Sequence, residues 1–145
     1  MANMSKPVSL NSPMQNFANA TFSVPASAPA GTIAQCTIYP YGYSQASTAS
    51  FTIPSNEVWN LLELYVDSTL SVDAQPIFYV NGQTQPFSIN LNATISSNSA
   101  RVPVLTPIAF DPGVVVQLSV VTTEANTATT AVNEAFNLLF VRVPA

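Results

Sequence analysis

The side chains that could carry out catalysis are few, and their types exclude the commonest mechanisms. The chain has 145 residues, with one cysteine, Cys36, and no histidine. A Ser-His-Asp triad and a Cys-His dyad therefore cannot be built, and a structural zinc site lacks its usual ligands. Four glycines in the whole chain leave no Gly-rich phosphate loop. Cys36 lies in an apolar stretch, and we expect it to be a small buried side chain.

Carboxylates are the remaining candidates for acid–base chemistry. Glu63 and Asp67 share one face of a predicted strand at a spacing of about 13 Å, whereas glycosidase pairs lie about 5 to 9.5 Å apart. No EF-hand spacing occurs, although a calcium site built from loop carboxylates stays open. The sequence therefore predicts a protein that is not an enzyme and holds no cofactor or metal. The carboxylates are Glu57, Glu63, Asp67, Asp73, Asp111, Glu124 and Glu134.

Charge is unusually scarce. Charged residues make up 7% of the chain, against about 25% in ordinary soluble domains. The only positive side chains are Lys6, Arg101 and Arg142, and the net charge is −4. Without a basic surface we expect no direct contact with nucleic acid and no binding to anionic lipid headgroups. Contact with an internal membrane stays open, but no pattern indicates it. Repulsion between neighbouring copies should be weak.

Targeting signals are not evident. No run of 18 apolar residues predicts a membrane span. Residues 1–13 have no apolar core of a secretory signal, so we expect a product assembled in the cytoplasm of a host cell.

Residues 1–30 differ in composition from the rest and predict an extended N-terminal arm. Pro7, Pro13, Pro25 and Pro29 forbid a continuous helix, and a short edge strand is expected over 21–24. Such an arm could reach about 100 Å, far enough to enter a neighbouring subunit. Its apolar residues are the candidate anchors between subunits: Val8, Leu10, Phe17, Phe22 and Val24.

Residues 31–145 predict short strands between turns. Asn81-Gly82 is a hairpin signal because both residues tolerate positive φ, and Pro103 and Pro107 indicate an edge strand. In the strand over 57–67 we expect Val58, Leu64 and their alternate neighbours to face the core, and Trp59 and its alternates to face solvent or a partner; a helix is the alternative there. The eight predicted strands are 32–39, 49–53, 57–67, 76–80, 85–91, 101–105, 114–123 and 133–143.

The fold class that follows is all-β. We expect a single eight-stranded antiparallel jelly-roll sandwich over residues 31–145, preceded by the arm over 1–30. An immunoglobulin-like sandwich has similar strand statistics, although its Cys–Trp–Cys signature is absent.

Three tyrosines at alternate positions, Tyr39, Tyr41 and Tyr43, form a candidate contact loop. Tyrosine gives large contact area at low entropic cost. We favour a contact with another subunit over binding of a sugar or a receptor.

The eight-strand body, the long arm and the low-charge texture rich in Asn, Thr and Pro resemble the small single jelly-roll capsid proteins of icosahedral viruses. The nearest are the vertical single jelly-roll coat proteins of tailless viruses of hot-spring archaea or thermophilic bacteria. The resemblance implies a shell of many copies located in the virion, with or without a second coat protein and an internal membrane. Lys6 is the only cation in the arm, so the arm would link subunits and would not hold the genome.

Two other function classes remain open. One is an extracellular pilus or thread subunit that assembles by strand addition. The other is a carbohydrate-binding or receptor-binding β-sandwich, such as a fibre head.

Overall fold

Strands make up most of the chain. The computed structural model describes residues 14–42, 46–86, 89–94 and 101–145; for 86 and 101–107 only the backbone is described. Within these ranges there are ten strands and one 3-10 helix, Leu91–Thr94. The strands are β1 Met14–Val24, β2 Ile33–Gln35, β3 Thr37–Tyr39, β4 Ser50–Thr52, β5 Glu57–Tyr65, β6 Ala74–Val80, β7 Gln83–Pro86, β8 Arg101–Phe110, β9 Val115–Thr122 and β10 Val132–Pro144.

The strands form two sheets in which every pairing is antiparallel. Sheet A has the order β3-β1-β10-β5-β8. Sheet B has the order β2-β9-β6-β7, and β4 also pairs with β9. The predicted all-β class is confirmed, and two antiparallel sheets are consistent with the predicted sandwich. The described residues hold ten strands where eight were expected, because 14–24 adds a strand and 32–39 divides at Cys36, where the chain passes from sheet B to sheet A.

Aromatic rings fill the core between the sheets. The ring centroids of Trp59 and Phe140 lie 5.3 Å apart, those of Phe140 and Phe110 5.9 Å, and those of Phe110 and Phe78 5.5 Å. All four side chains are buried. Tilted and edge-on contacts at these separations add to the stabilisation from area burial alone, so this row of rings joins the two sheets.

The predicted short edge strand over residues 21–24 is wrong in its length and in its position in the sheet. The expected edge strand over 21–24 is an eleven-residue strand, β1, inside sheet A between β3 and β10. Phe22 and Val24 point into the chain's own core and are buried, so they cannot anchor a neighbouring subunit. Phe17 points outward and is 43% exposed. Val8 and Leu10 lie outside the described residues.

Residues 25–30, which were also predicted to belong to the arm, are hydrogen-bonded to the sandwich through Asn126. The buried Asn126 amide donates hydrogen bonds to the carbonyl oxygens of Val24, Pro25 and Thr130 at 3.3, 2.9 and 3.3 Å. Its backbone N–H donates to the carbonyl of Ala28 at 2.9 Å. A single side chain therefore satisfies several buried backbone groups, and the segment follows the body of the fold.

The face assignment of β5 is wrong in its first half. Trp59 and Leu61 are buried together with Leu64 and Val66, so the inward positions change parity along the strand. A register shift between Leu61 and Glu63 explains this change. A bulge places two residues opposite one and restarts the alternation on the other face.

Two local predictions are confirmed. β6 and β7 pair as a hairpin, and Asn81 and Gly82 between them have φ of 49° and 82°, as a type I′ turn requires. β8, which contains Pro103 and Pro107, lies at the edge of sheet A.

Candidate functional site

The charged side chains of the described residues lie mostly at the two ends of the sandwich. Asp67, Asp73, Glu124 and Glu134 lie where β5 and β9 end and β6 and β10 begin; we call this the acidic end. Glu57, Asp111 and Arg142 lie at the opposite end. The outward surfaces of the two sheets are left almost without charge.

Two carboxylates of the acidic end accept hydrogen bonds from the loop that precedes β6. Glu134 Oε1 accepts a hydrogen bond from the backbone N–H of Ser71 at 3.0 Å, and Glu124 Oε1 accepts one from Asp73 at 2.9 Å. Burial raises the pKa of Glu134; hydrogen bonds from Ser71 and Val72 oppose this, and the charge of Asp73 adds to it. No group of three metal-ligating side chains occurs within the described ranges. These acids therefore act as structural acceptors.

The opposite end carries one cation among aromatic rings. The Arg142 guanidinium lies 5.4 Å from the Tyr41 ring centroid and 5.7 Å from that of Trp59. Arg142 Nη1 is 3.4 Å from Glu57 Oε1, which also accepts the Trp59 indole N–H at 2.9 Å. Met14 Sδ lies 3.9 Å from Arg142 Nη2. This cluster closes the end of the core with its charges paired, which favours a structural role.

The predicted tyrosine loop is not brought together as one surface. Tyr39 lies in β3 opposite Asn19, pointing away from the core. Tyr41 is 44% exposed and lies on the Arg142 cluster. Tyr43 lies outside the described residues. Tyr41 thus remains the described ring best placed for a contact.

We define face A as the outward side chains of sheet A. It contains apolar cross-strand pairs: Phe17 lies opposite Leu139, and Val58 lies opposite Val143 near the Arg142 end, while Glu63 lies opposite Leu139 on its other side. Its only charged member with a described side chain is Glu63. The described members are Gln15, Phe17, Asn19, Thr21, Ser23, Thr37, Tyr39, Val58, Asn60, Leu62, Glu63, Tyr65, Ala109, Asn133, Ala135, Asn137, Leu139, Val141 and Val143.

Face B, the outward side chains of sheet B, holds no charged residue among its described side chains. Ile33 is 63% exposed and Val115 is 40% exposed. Depletion of charge with retained apolar and amide groups is typical of the centre of a protein interface. The described members are Ile33, Gln35, Ser50, Thr52, Gln75, Ile77, Tyr79, Thr84, Val115, Gln117, Ser119 and Val121.

From these faces, sequence reasoning singled out Phe17 as a candidate anchor and Tyr39 as a candidate contact residue, and it missed the faces themselves. The available signal was the absence of Asp, Glu, Lys and Arg at the outward positions of β9, where Gln117 and Ser119 alternate with core residues.

Cys36 is placed as expected. It is buried, and burial raises the pKa of its thiol to about 12. A neutral buried thiol is a poor nucleophile.

Comparison with protein-family models and with curated proteins finds no match for this chain. In the part of the chain that the structure describes, no helix has the length and apolarity needed to cross a membrane.

Proposed function

We propose that this chain is a single jelly-roll coat protein that assembles with copies of itself, alone or with a second coat protein, into a viral shell. It acts as a structural subunit and not as an enzyme. Its proposed location is the virion, with assembly in the host cytoplasm.

The observation that carries the proposal is the way the strands are nested. β1 pairs with β10, β2 with β9, β5 with β8, and β6 with β7. These four pairs form one long antiparallel ribbon with the β6–β7 hairpin at its tip. Successive pairs alternate between sheet A and sheet B. This nesting supports the proposed jelly roll, in which a ribbon of eight strands is rolled in this way; in the proposed topology β3 and β4 are short additions to the ribbon.

Jelly rolls occur in viral coats, lectins and cupins. A cupin-type metal site is disfavoured because the chain has no histidine. Faces A and B, with Glu63 as their single described charged side chain, favour a subunit with neighbours on both sides. Charged groups at the ends of the sandwich can stay hydrated while such faces are covered.

The sheet edges disfavour a thread built by strand addition. β2, β3 and β4 have three residues each, and β7 has four. The long edge strand β8 contains Pro103 and Pro107, which cannot donate ladder hydrogen bonds. Short edges and prolines are the usual protection against added strands. Assembly through faces fits this molecule better than assembly through edges.

Binding of a carbohydrate or receptor is the second candidate, favoured by the exposed ring of Tyr41 beside Arg142. A sugar could stack on the ring while the guanidinium donates to its hydroxyls. The two functions are compatible, since Tyr41 lies at an end of the sandwich and not on a face.

The other partners follow from the charges. With Lys6, Arg101 and Arg142 as its only cations, the chain would not bind the genome directly.

The test is the mass of the purified full-length protein across a wide concentration range, by sedimentation velocity and electron microscopy. Closed particles of uniform size are expected. A filament would favour the thread alternative. A monodisperse monomer at all concentrations would overturn the proposal, and a glycan array would then examine the second candidate.

A further inference from the structure

Two adjoining clefts lie on face A near the acidic end. The first has a volume of about 260 Å³ and lies where β1 meets β3 and the end of β2. The second has a volume of about 200 Å³ and lies between the start of β10 and residues 67–70, which follow β5. Asn133 lines both clefts and lies opposite Ser23 in the sheet. The clefts therefore meet at this residue and together cross three strand spacings, about 14 Å.

The first cleft is lined mainly by uncharged polar side chains. Its hydroxyl groups belong to Thr21, Ser23 and Thr37, and its amides belong to Gln35 and Asn133. Within the described ranges, none of these five side chains takes part in a hydrogen bond. All five residues lie in strands, and all except the half-buried Thr21 are exposed. Their donors and acceptors are therefore open to a ligand and held on a rigid sheet.

The second cleft adds acceptors and a negative charge. Asp67, Ser68 and Thr69 lie on one side of it, and Asn137 lies on the other. The Asn137 amide donates a hydrogen bond to Asp67 Oδ2 at 3.2 Å, which orients the carboxylate before any ligand arrives. Glu134 also lines this cleft. Neither cleft has a lysine or an arginine among its described lining residues.

The lining chemistry decides the class of ligand. An anion, such as a phosphate or a uronic acid, would meet Asp67 and Glu134 without a cation to pair with it. An apolar ligand would remove water from hydroxyls and amides without replacing the lost hydrogen bonds. A neutral sugar presents hydroxyl groups that both donate and accept, and these match side chains of the same kind.

We propose that the two clefts bind a neutral oligosaccharide, with a sugar ring in each cleft and the Asn133 amide hydrogen-bonded to both rings. The combined volume falls within the roughly 300 to 1,000 Å³ of small-molecule sites. This site goes beyond the proposed coat function and does not depend on assembly. It is also separate from Tyr41, which lies at the Arg142 end of the sandwich.

The test is binding of defined sugars to the full-length protein. The neutral probes are maltotriose, cellotriose, mannotriose and the trisaccharide of N-acetylglucosamine, and the acidic probe is sialyllactose. Saturation-transfer NMR detects binding to a monomer and to a large particle alike, and calorimetry measures the affinity. At least one neutral trisaccharide should bind saturably, and sialyllactose should bind at least about tenfold more weakly.

Two variants locate the site. Asn133→Ala should weaken binding of that trisaccharide at least about tenfold, because hydrogen bonds in both clefts are lost. Thr37→Val removes one hydroxyl from the first cleft at nearly constant size, and it should weaken binding by a smaller factor. Both residues are exposed, and thermal unfolding of each variant confirms that the fold is retained.

Two further variants are controls. Gln15→Ala removes an exposed amide from the same strand and face as Ser23, but at the other end of β1. Tyr41→Ala removes the exposed ring at the Arg142 end. Both variants should bind the trisaccharide as the unaltered chain does.

Three results would overturn the inference. The first is that none of the four neutral trisaccharides binds. The second is that sialyllactose binds as tightly as they do. The third is that Tyr41→Ala abolishes binding while Asn133→Ala does not, which would move the sugar to the Arg142 end. The particle mass of the same samples keeps the two proposals distinct: particles that bind no sugar refute only this site, and a monomer that binds sugar refutes only the shell.

Discussion

The effect of N-terminal truncation on folding should change sharply between a cut after residue 13 and a cut after residue 24. Removing residues 1–13 leaves every described strand in place, so the shortened chain should fold. Removing residues 1–24 deletes β1 from the interior of sheet A, between β3 and β10, and should abolish cooperative folding.

The magnitude follows from what β1 buries. Phe22 and Val24 are buried, and full burial of each is worth about 1.5 to 3 kcal/mol, or about 3 to 6 kcal/mol together. Ala18 and Ala20 are also lost, and Phe136 and Phe140 on the neighbouring strand lose cover. The total is comparable with the lower part of the roughly 5 to 15 kcal/mol stability of a whole domain.

The assay is urea unfolding followed by the fluorescence of Trp59, the only tryptophan and fully buried, together with far-ultraviolet circular dichroism. The chain of residues 14–145 should give a cooperative transition near that of the full chain. The chain of residues 25–145 should give none. A cooperative transition with an unchanged midpoint for residues 25–145 would refute the placement of β1 in the sheet.

The same pair of truncations tests the predicted arm anchors Val8 and Leu10. If they link subunits, residues 14–145 should fold but assemble at least tenfold less tightly than the full chain. Equal assembly of the two chains would remove the anchoring role from residues 1–13.

Three further predictions concern single polar side chains. Asn126→Ala should lower the free energy of unfolding by about 3 kcal/mol, because several buried backbone groups lose their partner; urea unfolding measures this, and the exposed Asn133→Ala should change it by less than about 0.5 kcal/mol. Burial raises the pKa of Glu134 above its usual 4.5, so the folded state binds this proton more tightly than the unfolded state. The resulting contribution to the free energy of unfolding is complete below pH 4.5 and is lost as the pH rises through the folded pKa. Glu134→Gln should weaken this pH dependence of the melting temperature, and identical pH profiles for the two proteins would contradict the assignment. Cys36, with its pKa raised to about 12, should react with a thiol reagent at pH 8 only after unfolding, and rapid labelling of the folded protein would show that it is accessible.

Local chemistry made some elements predictable. The Asn81-Gly82 turn needs two positive φ angles, which few dipeptides allow, so the position of its hairpin could be predicted from these two residues alone. Pro103 and Pro107 lack an N–H, which placed β8 at an edge. Phe136, Leu138 and Phe140 alternate strictly, and β10 is a strand with those residues buried.

Other elements depend on interactions that a sequence does not display. Two of the inward residues of β1, Ala18 and Ala20, are too small to mark a core face, so the prolines around them suggested an arm. The bulge in β5 has no residue signature and reversed the assignment of Trp59. Faces A and B became visible only after the register placed outward residues of separate strands side by side.

The position of the last strands in the sheets has a consequence for the timing of synthesis. β10 lies between β1 and β5 in sheet A, and β9 lies between β2 and β6 in sheet B. Sheet B cannot be completed until residues 115–122 have left the ribosome, and sheet A cannot be completed until residues 132–144 have done so, because the pairings that join early and late segments are long-range. Until residues 132–144 have emerged, face A is incomplete, so a growing chain cannot yet present both faces to another molecule.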